Sequence, residues 1–420
     1  LGPTKDRKIY NYDEYNRIAL YHGVNICNYS KIAPDYLPWH KKEDYENLKN
    51  HGFNLVRFLI FWEAIEPREN NHDHAYLEKI KEHLNIMEEL GIKVILDIHQ
   101  NLYNQKIKNH GFPLWLINKI EKSNTQKKTR VKKAHKSIYK NKKFSIAYSN
   151  LLSFIQNYFK NEKNIIGIDV MNEPHPFISL PLFFERNYLS KFYTAIGFEK
   201  TKIPLYFEPP IWCSSGVPTN LGEELHIAQR NYIPQYFPPL VHYKGQYSNI
   251  DKVLLKFAIK SKAREAQKMK SPYIIGEIGI SSKTKNKFAF IKDFVELADK
   301  QYMSWIWWCY DKDTYSRHGL LDSYGKPNKI MESLSRPYPQ RIAGTNPFYY
   351  NEGEIFYLEF TSNETFKVPT EIYIPGRIFE IDTNAINLPY TEDPNKKGVV
   401  LKFYTRIFGK QKIRIKWMSF

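Results

Sequence analysis

The feature that most constrains this chain is periodic. Short apolar runs, each the length of one buried strand, end in polar residues and alternate with helix-like stretches. The runs are Ala19–Cys27, Leu55–Leu59, Lys93–Gln100, Gly167–Pro174, Leu205–Glu208, Leu240–Tyr243, Tyr273–Gly279 and Met303–Cys309. A spacing of 35 residues separates His22 from Arg57, Asn172 from Phe207, Phe207 from His242, and His242 from Glu277. That is the length a strand and its returning helix require. Continuous apolar strands suit a parallel sheet covered on both faces. Eight of them, alternating with helices such as Ala75–Leu90, predict a (β/α)8 barrel whose site lies at the carboxyl ends of its strands.

Two of the runs end in a glutamate. In Asn172-Glu173-Pro174 the proline cannot donate to a continuing ladder, so the strand stops and leaves Asn172 and Glu173 at its carboxyl end. Glu277 ends a second run in the same way. Two carboxyls in a barrel mouth fit hydrolysis of a glycosidic bond, which needs a proton donor for the leaving oxygen and a carboxylate facing the sugar carbon. On this reading Glu277 is the nucleophile and Glu173 the acid/base. Arg57, ending the second strand, would hold Glu277 ionised. His99 ends the third strand, and Asn172 is placed to bond a sugar hydroxyl. His242 and Tyr243 end the sixth, and Trp308 on the eighth offers a flat face to a pyranose. Each of these residues alone has an ordinary role in packing. Their joint position at one level of a barrel points to a site.

This set resembles the clan A glycoside hydrolases of family 5. Several stretches resemble endoglycoceramidases in particular: Leu96-Asp97-Ile98-His99-Gln100, Gly111-Phe112-Pro113-Leu114-Trp115, Phe207-Glu208-Pro209, Ala343-Gly344-Thr345 and Pro369-Thr370-Glu371-Ile372-Tyr373-Ile374-Pro375. The resemblance implies retaining hydrolysis, without metal or cofactor, of the β-linkage between the glycan and the ceramide of a glycosphingolipid. It adds Asn101, Trp115 and Lys244 as supporting positions. Two of these depart from the family pattern: Asn101 stands where an aspartate is usual, and Lys244 where a tyrosine follows the His-x pair. Two other readings stay open. One is an exo-acting β-glucosidase on glucosylceramide or a steryl glucoside; the other is a glycolipid-binding barrel without catalysis.

After Arg336-Pro337-Tyr338-Pro339 the helical pattern gives way to alternation. Ile413, Ile415 and Trp417 point one way and Lys412, Arg414 and Lys416 the other, as in a half-buried antiparallel sheet. The expected division is a catalytic barrel over residues 1–338 and a small β-sandwich over 339–420, with residues 1 to 18 as a leading strap. A net charge of +18, from 62 Lys and Arg against 44 Asp and Glu, favours peripheral contact with an anionic or glycolipid-bearing membrane surface. No nucleic-acid-binding motif accompanies the charge, so nucleic acid is not the expected partner. The loop after Glu173 carries Phe177, Ile178, Leu180, Leu182, Phe183 and Phe184, a candidate lip for ceramide. The basic stretch Lys119–Lys143 reads as a solvated helix or excursion. Cys27, Cys213 and Cys309 lack metal-ligand spacing and read as buried free thiols. A monomer is expected, in an extracytoplasmic setting that is secreted or vacuolar/lysosomal.

Overall fold

The structure is a computed structural model and describes residues 9–101, 110–120, 138–175, 180–196, 201–225, 231–390, 397–405 and 408–419. Most of the basic stretch 119–143 and residues 177–179 of the apolar loop lie outside the described residues.

The barrel strands are β1 (His22–Ile26), β2 (Leu55–Ile60), β3 (Lys93–Ile98), β4 (Ile165–Asp169), β5 (Leu205–Phe207), β6 in two pieces (Asn231–Tyr232 and Gln235–Tyr236), β7 (Ile274–Ile278) and β8 (Ser304–Trp307). Every pairing among them is parallel. The first piece of β6 pairs with β5 and the second with β7, so the sheet closes through this one strand. Pro234 explains the interruption, because it removes the amide that would continue the ladder. Helices such as His74–Glu89 and Lys142–Tyr158 cover the outside. The first buries Leu77, Ile80, Leu84 and Met87 on one face, with Asp73 capping its N-terminus through the Tyr76 amide.

The sixth strand corrects the sequence reading. His242, Tyr243 and Lys244 lie on a short helix, Pro239–Lys244, and not on a strand. Pro239 sits in its first turn and Gly245, at φ +66°, ends it. The strand lies just before the Pro238-Pro239 pair, and its Gln235 is the residue in register with Glu277. The 35-residue spacings to and from His242 are therefore fortuitous.

Beyond the barrel, a six-stranded and a four-stranded antiparallel sheet form a sandwich around Tyr338, Phe356, Leu358, Ile372, Leu401 and Ile413. Ile413 and Ile415 are buried and Lys412 and Lys416 exposed, as the alternation predicts. The strap joins this sandwich: Asn11–Tyr12 and Ile18–Ala19 pair with each other, and the latter pairs with Arg341–Ile342. At the junction, the Tyr338 hydroxyl donates to Gly52 O at 2.6 Å and the Tyr373 hydroxyl to Asn50 O at 2.8 Å. His22 stacks between Tyr338 and Trp305, with ring centroids 3.5 and 4.6 Å away. The sandwich thus seals the amino-terminal end of the barrel and leaves the other end as the mouth.

Candidate active site

Arg57 is the centre of the mouth. Carried inward by β2 and fully buried, it is surrounded by carboxylates from four other strands or strand ends. Its Nη1 donates to Glu277 Oε1 at 2.7 Å and to Asn25 Oδ1 at 2.9 Å. Its Nε and Nη2 both reach Asp169 Oδ2, at 2.9 and 2.7 Å. Nη2 also lies 3.0 Å from Asp97 Oδ1 and donates to Glu208 Oε1 and Asn172 Oδ1, each at 3.0 Å. Asp97 and Asp169 extend inward from β3 and β4, while Glu208 follows β5 directly.

Glu173 lies four residues past the end of β4, at φ +43°, a conformation that a residue with a Cβ rarely adopts. The cluster holds it there. Its N–H donates to Glu208 Oε2 at 2.8 Å, and its carbonyl accepts from Gln100 Nε2 at 3.1 Å. The same Gln100 amide donates to the Asn172 carbonyl. Gln235 Nε2 bridges Asn172 Oδ1 and Glu208 Oε1, each at 3.0 Å. Asn172 Nδ2 donates to Gln100 O at 3.0 Å, leaving its second N–H for a ligand.

Among the described residues the charges of the mouth do not balance. Five carboxyls, Asp97, Asp169, Glu173, Glu208 and Glu277, share the mouth with two cations, Arg57 and Lys31. Burial raises the proton affinity of Asp97 and Glu208 well above the ordinary carboxylate range, with neighbouring carboxylates adding to it and Arg57 opposing. For Glu208 the nearest such neighbour is Asp169. Glu173 and Glu277 are both raised by burial, and each is partly offset by Arg57 and Lys31. The negative charge of Glu173 raises Glu277 further, so the two titrate as a pair. Of the two, Arg57 bonds only Glu277, a charge-assisted contact that favours the ionised form of Glu277.

His99 is buried with Nδ1 2.6 Å from Asp97 Oδ2, and burial together with Lys31 and Arg57 keeps it neutral. The Nδ1 hydrogen goes to Asp97, and Nε2, which has no partner among the described residues, remains an acceptor for a ligand hydroxyl. Trp308 is buried with its ring nearly parallel to that of His99, centroids 6.1 Å apart. The Lys31 ammonium lies 4.2 Å from the Trp308 ring centre, so this ring serves as a cation platform as well as a sugar-sized surface.

The structure therefore gathers Arg57, His99, Asn172, Glu173, Glu277 and Trp308. Other positions stand apart from the cluster. Trp115 packs edge-on against Trp62 and donates to Glu66 O at 2.9 Å. Asn101 is exposed on a bridge to His110. His242 contacts the rings of Phe237 and His318, while Tyr243 is 91% exposed. Sequence reasoning passed over Asp97, Asp169, Glu208, Gln235, Asn25 and Lys31 as members of the site. For the acids a signal existed, since a carboxylate inside an otherwise apolar strand run has no place in a barrel core unless it is paired. Lys31, one basic residue on a loop of a lysine-rich chain, gave none.

A family model described as Cellulase (glycosyl hydrolase family 5) matches residues 14–179. Endoglycoceramidase I of Rhodococcus hoagii (strain 103S) is 25% identical, the match covering 86% of this chain and 77% of that protein. The endoglycoceramidase of Cyanea nozakii is 21% identical over 79% of this chain and 75% of its own. Among solved structures, endo-glycoceramidase II from Rhodococcus sp., in its ganglioside GM3 complex, has a TM-score of 0.86 at 21% identity, covering 98% of this chain and 100% of that one. Fold and site together are those of a glycosidase, similar over residues 14–179 to glycoside hydrolase family 5. The chain is similar to endoglycoceramidases along most of its length.

Proposed function

We propose that this chain is a retaining, endo-acting glycosidase that cleaves the β-bond between the glycan and the ceramide of a glycosphingolipid. The observation that carries the reading is the unequal treatment of two neighbouring glutamates. Glu277 is bonded to a buried guanidinium and Glu173 is not, which fits Glu277 as the nucleophile and Glu173 as the proton donor.

Arg57 engages Oε1 of Glu277, which leaves Oε2 to attack the anomeric carbon. As that bond forms, the bond to the ceramide oxygen breaks, and Glu173 gives its proton to the leaving oxygen. The glycosyl ester removes the negative charge of Glu277, so the field that raised the proton affinity of its partner falls. Glu173, now ionised, takes a proton from the incoming water. Water attacks the same carbon, the ester bond breaks, and Glu277 is released as a carboxylate. Asn172 Nδ2 and His99 Nε2 supply a donor and an acceptor for sugar hydroxyls, and Lys31 offers a cation beside Trp308.

The relatives' names support a glycan-ceramide substrate. Peripheral membrane contact by a monomer in an extracytoplasmic setting fits a substrate of that kind, and the charge of +18 supports it. The apolar lip supports it too: Leu180, Leu182 and Phe183 are exposed just past β4, while Phe184 turns inward against Tyr139.

Incubation with a ganglioside, lactosylceramide and glucosylceramide, followed by product analysis, tests the proposal. Intact oligosaccharide plus ceramide is expected. Glucose released from glucosylceramide alone would replace this reading with an exo-glucosidase, and no turnover would leave a binding barrel.

A further inference from the structure

The helix Asn249–Met269, which follows β6, carries apolar side chains on two faces. Leu255, Ala258, Ile259, Ala266 and Met269 pack against the barrel as expected. Ile250, Val253, Leu254 and Phe257 point the other way, at helical spacing, and are exposed; Val253 is 66% and Phe257 64% accessible. No described neighbour covers them. Along the same outward side, exposed Lys256 lies within this stretch, and the next turns carry exposed Lys260 and Arg264. The helix has two acidic residues, Asp251 and Glu265, and both are buried. Its exposed side therefore presents apolar groups and positive charge with no carboxylate.

The position of this face is as informative as its composition. The helix begins at the carboxyl end of β6, so its apolar first two turns lie at the mouth and its basic turns farther back along the barrel. Two loops beside its start add cations. Lys285 N–H donates to Gly245 O, and Tyr247 N–H donates to Lys285 O, tying the segment bearing Lys283 and Lys285 to the one bearing Lys244. Ile250 to Phe257 spans about 10 Å of helix, the depth to which an interfacial helix buries its apolar groups, and the cations behind it fall at headgroup level.

We propose that this face is a membrane-docking surface that sets the barrel mouth against an anionic lipid bilayer, with Ile250, Val253, Leu254 and Phe257 inserted and Lys260 and Arg264 on the headgroups. The inference builds on the membrane contact proposed above. Its test uses vesicles without glycan, so it can fail while the hydrolytic reading stands.

The full chain is sedimented with vesicles of phosphatidylcholine alone and with vesicles containing ~30 mol% phosphatidylserine. The wild type is expected to bind the anionic vesicles and to leave them as salt is raised. The pairs V253S/F257S and K260E/R264E should each weaken that binding by about tenfold or more. Their melting temperatures should match the wild type, because all four side chains face solvent. Unchanged binding by the serine pair overturns the proposal, as does wild-type binding that ignores lipid charge. A dimer in solution that V253S/F257S converts to monomer also overturns it, by assigning the face to a second copy of the chain.

Discussion

The two ends of the barrel handle buried polarity in opposite ways. At the end closed by the sandwich, hydroxyls meet carbonyls, Arg336 meets Asp299 at 2.5 Å, and His22 is sandwiched between aromatic rings. At the mouth, one buried guanidinium serves four carboxyls, Glu173 is held at a positive φ, and His99 Nε2 has no partner among the described residues. The sealed end is arranged for a closed chain, the mouth for a closed chain plus a ligand. The crowding of carboxyls at the mouth supplies the perturbed proton affinities that the proposed chemistry uses.

Substitutions should separate the two ends. The largest effect is expected from Glu277→Gln, which removes the attacking oxygen: kcat should fall by about 10⁴-fold or more, with no loss of thermal stability, since a buried carboxyl in an acid-rich cluster is neutralised. Glu173→Gln should lose less on an aryl glycoside whose leaving group needs no proton than on lipid substrate. Equal losses on the two would remove Glu173 from the acid role. Arg57→Met is the converse case, because it leaves four carboxyls without their cation. It should lower stability by about 3–5 kcal/mol along with activity, as measured by urea unfolding. A variant with normal stability would mean that the cluster holds itself together by protons alone.

How much of this was readable in the chain depends on what kind of signal each residue left. Glu173 and Glu277 were legible because an apolar run ending in a lone carboxylate, followed in one case by proline, has few structural explanations. The same signature stands at Glu208-Pro209 and at Phe237-Pro238, where two further strand ends fall. Reading X-Pro as the end of a strand would have located Gln235 and put His242 on the following helix. Regular spacing outweighed local turn chemistry, and the local signal was the correct one. The strap escaped its place for a different reason: two-residue strands have no periodicity, and the pairing of Ile18–Ala19 that ties them to the sandwich reaches more than 300 residues along the chain. Nothing in sequence marks Lys31, because its proximity to Trp308 and the glutamate pair is purely tertiary.

The sealed end predicts effects on stability without effects on chemistry. Gly52 has φ +82°, and a Cβ there would lie 2.4 Å from the Tyr373 ring. Gly52→Ala should therefore cost about 2–4 kcal/mol, from a strained backbone plus an overpacked junction, while kcat per folded molecule is retained. A fall in kcat would show that the junction also shapes the mouth. A smaller effect separates the ends by pH. Glu208 binds its proton more tightly in the folded chain than in the unfolded one, so it stabilises the fold at low pH, and this contribution is lost as pH rises above the ordinary carboxylate range. Glu208→Gln cannot ionise. The melting temperature of the wild type relative to this variant should fall as pH rises, whatever the buried histidines contribute to both. A constant difference would place the proton elsewhere in the cluster.

The smallest expected effect concerns the mouth's rim, where the fold divides the apolar loop. Leu182 and Phe183 are each a little over half exposed, whereas Phe184 is buried with its ring 4.8 Å from that of Tyr139. Phe184→Ser would damage the core and says nothing about a lip. Leu182→Ser with Phe183→Ser removes apolar surface that already faces water, so stability should hold within about 0.5 kcal/mol. If ceramide or lipid covers these two side chains during turnover, roughly 1–2 kcal/mol of burial is forgone, a 5- to 30-fold loss in kcat/KM on lipid-linked substrate. A soluble aryl glycoside never reaches them and should be cleaved at the wild-type rate. Equal losses on both substrates would make the loop a support for the Glu173 segment, and no loss on either would leave the helix Asn249–Met269 as the apolar surface that meets lipid.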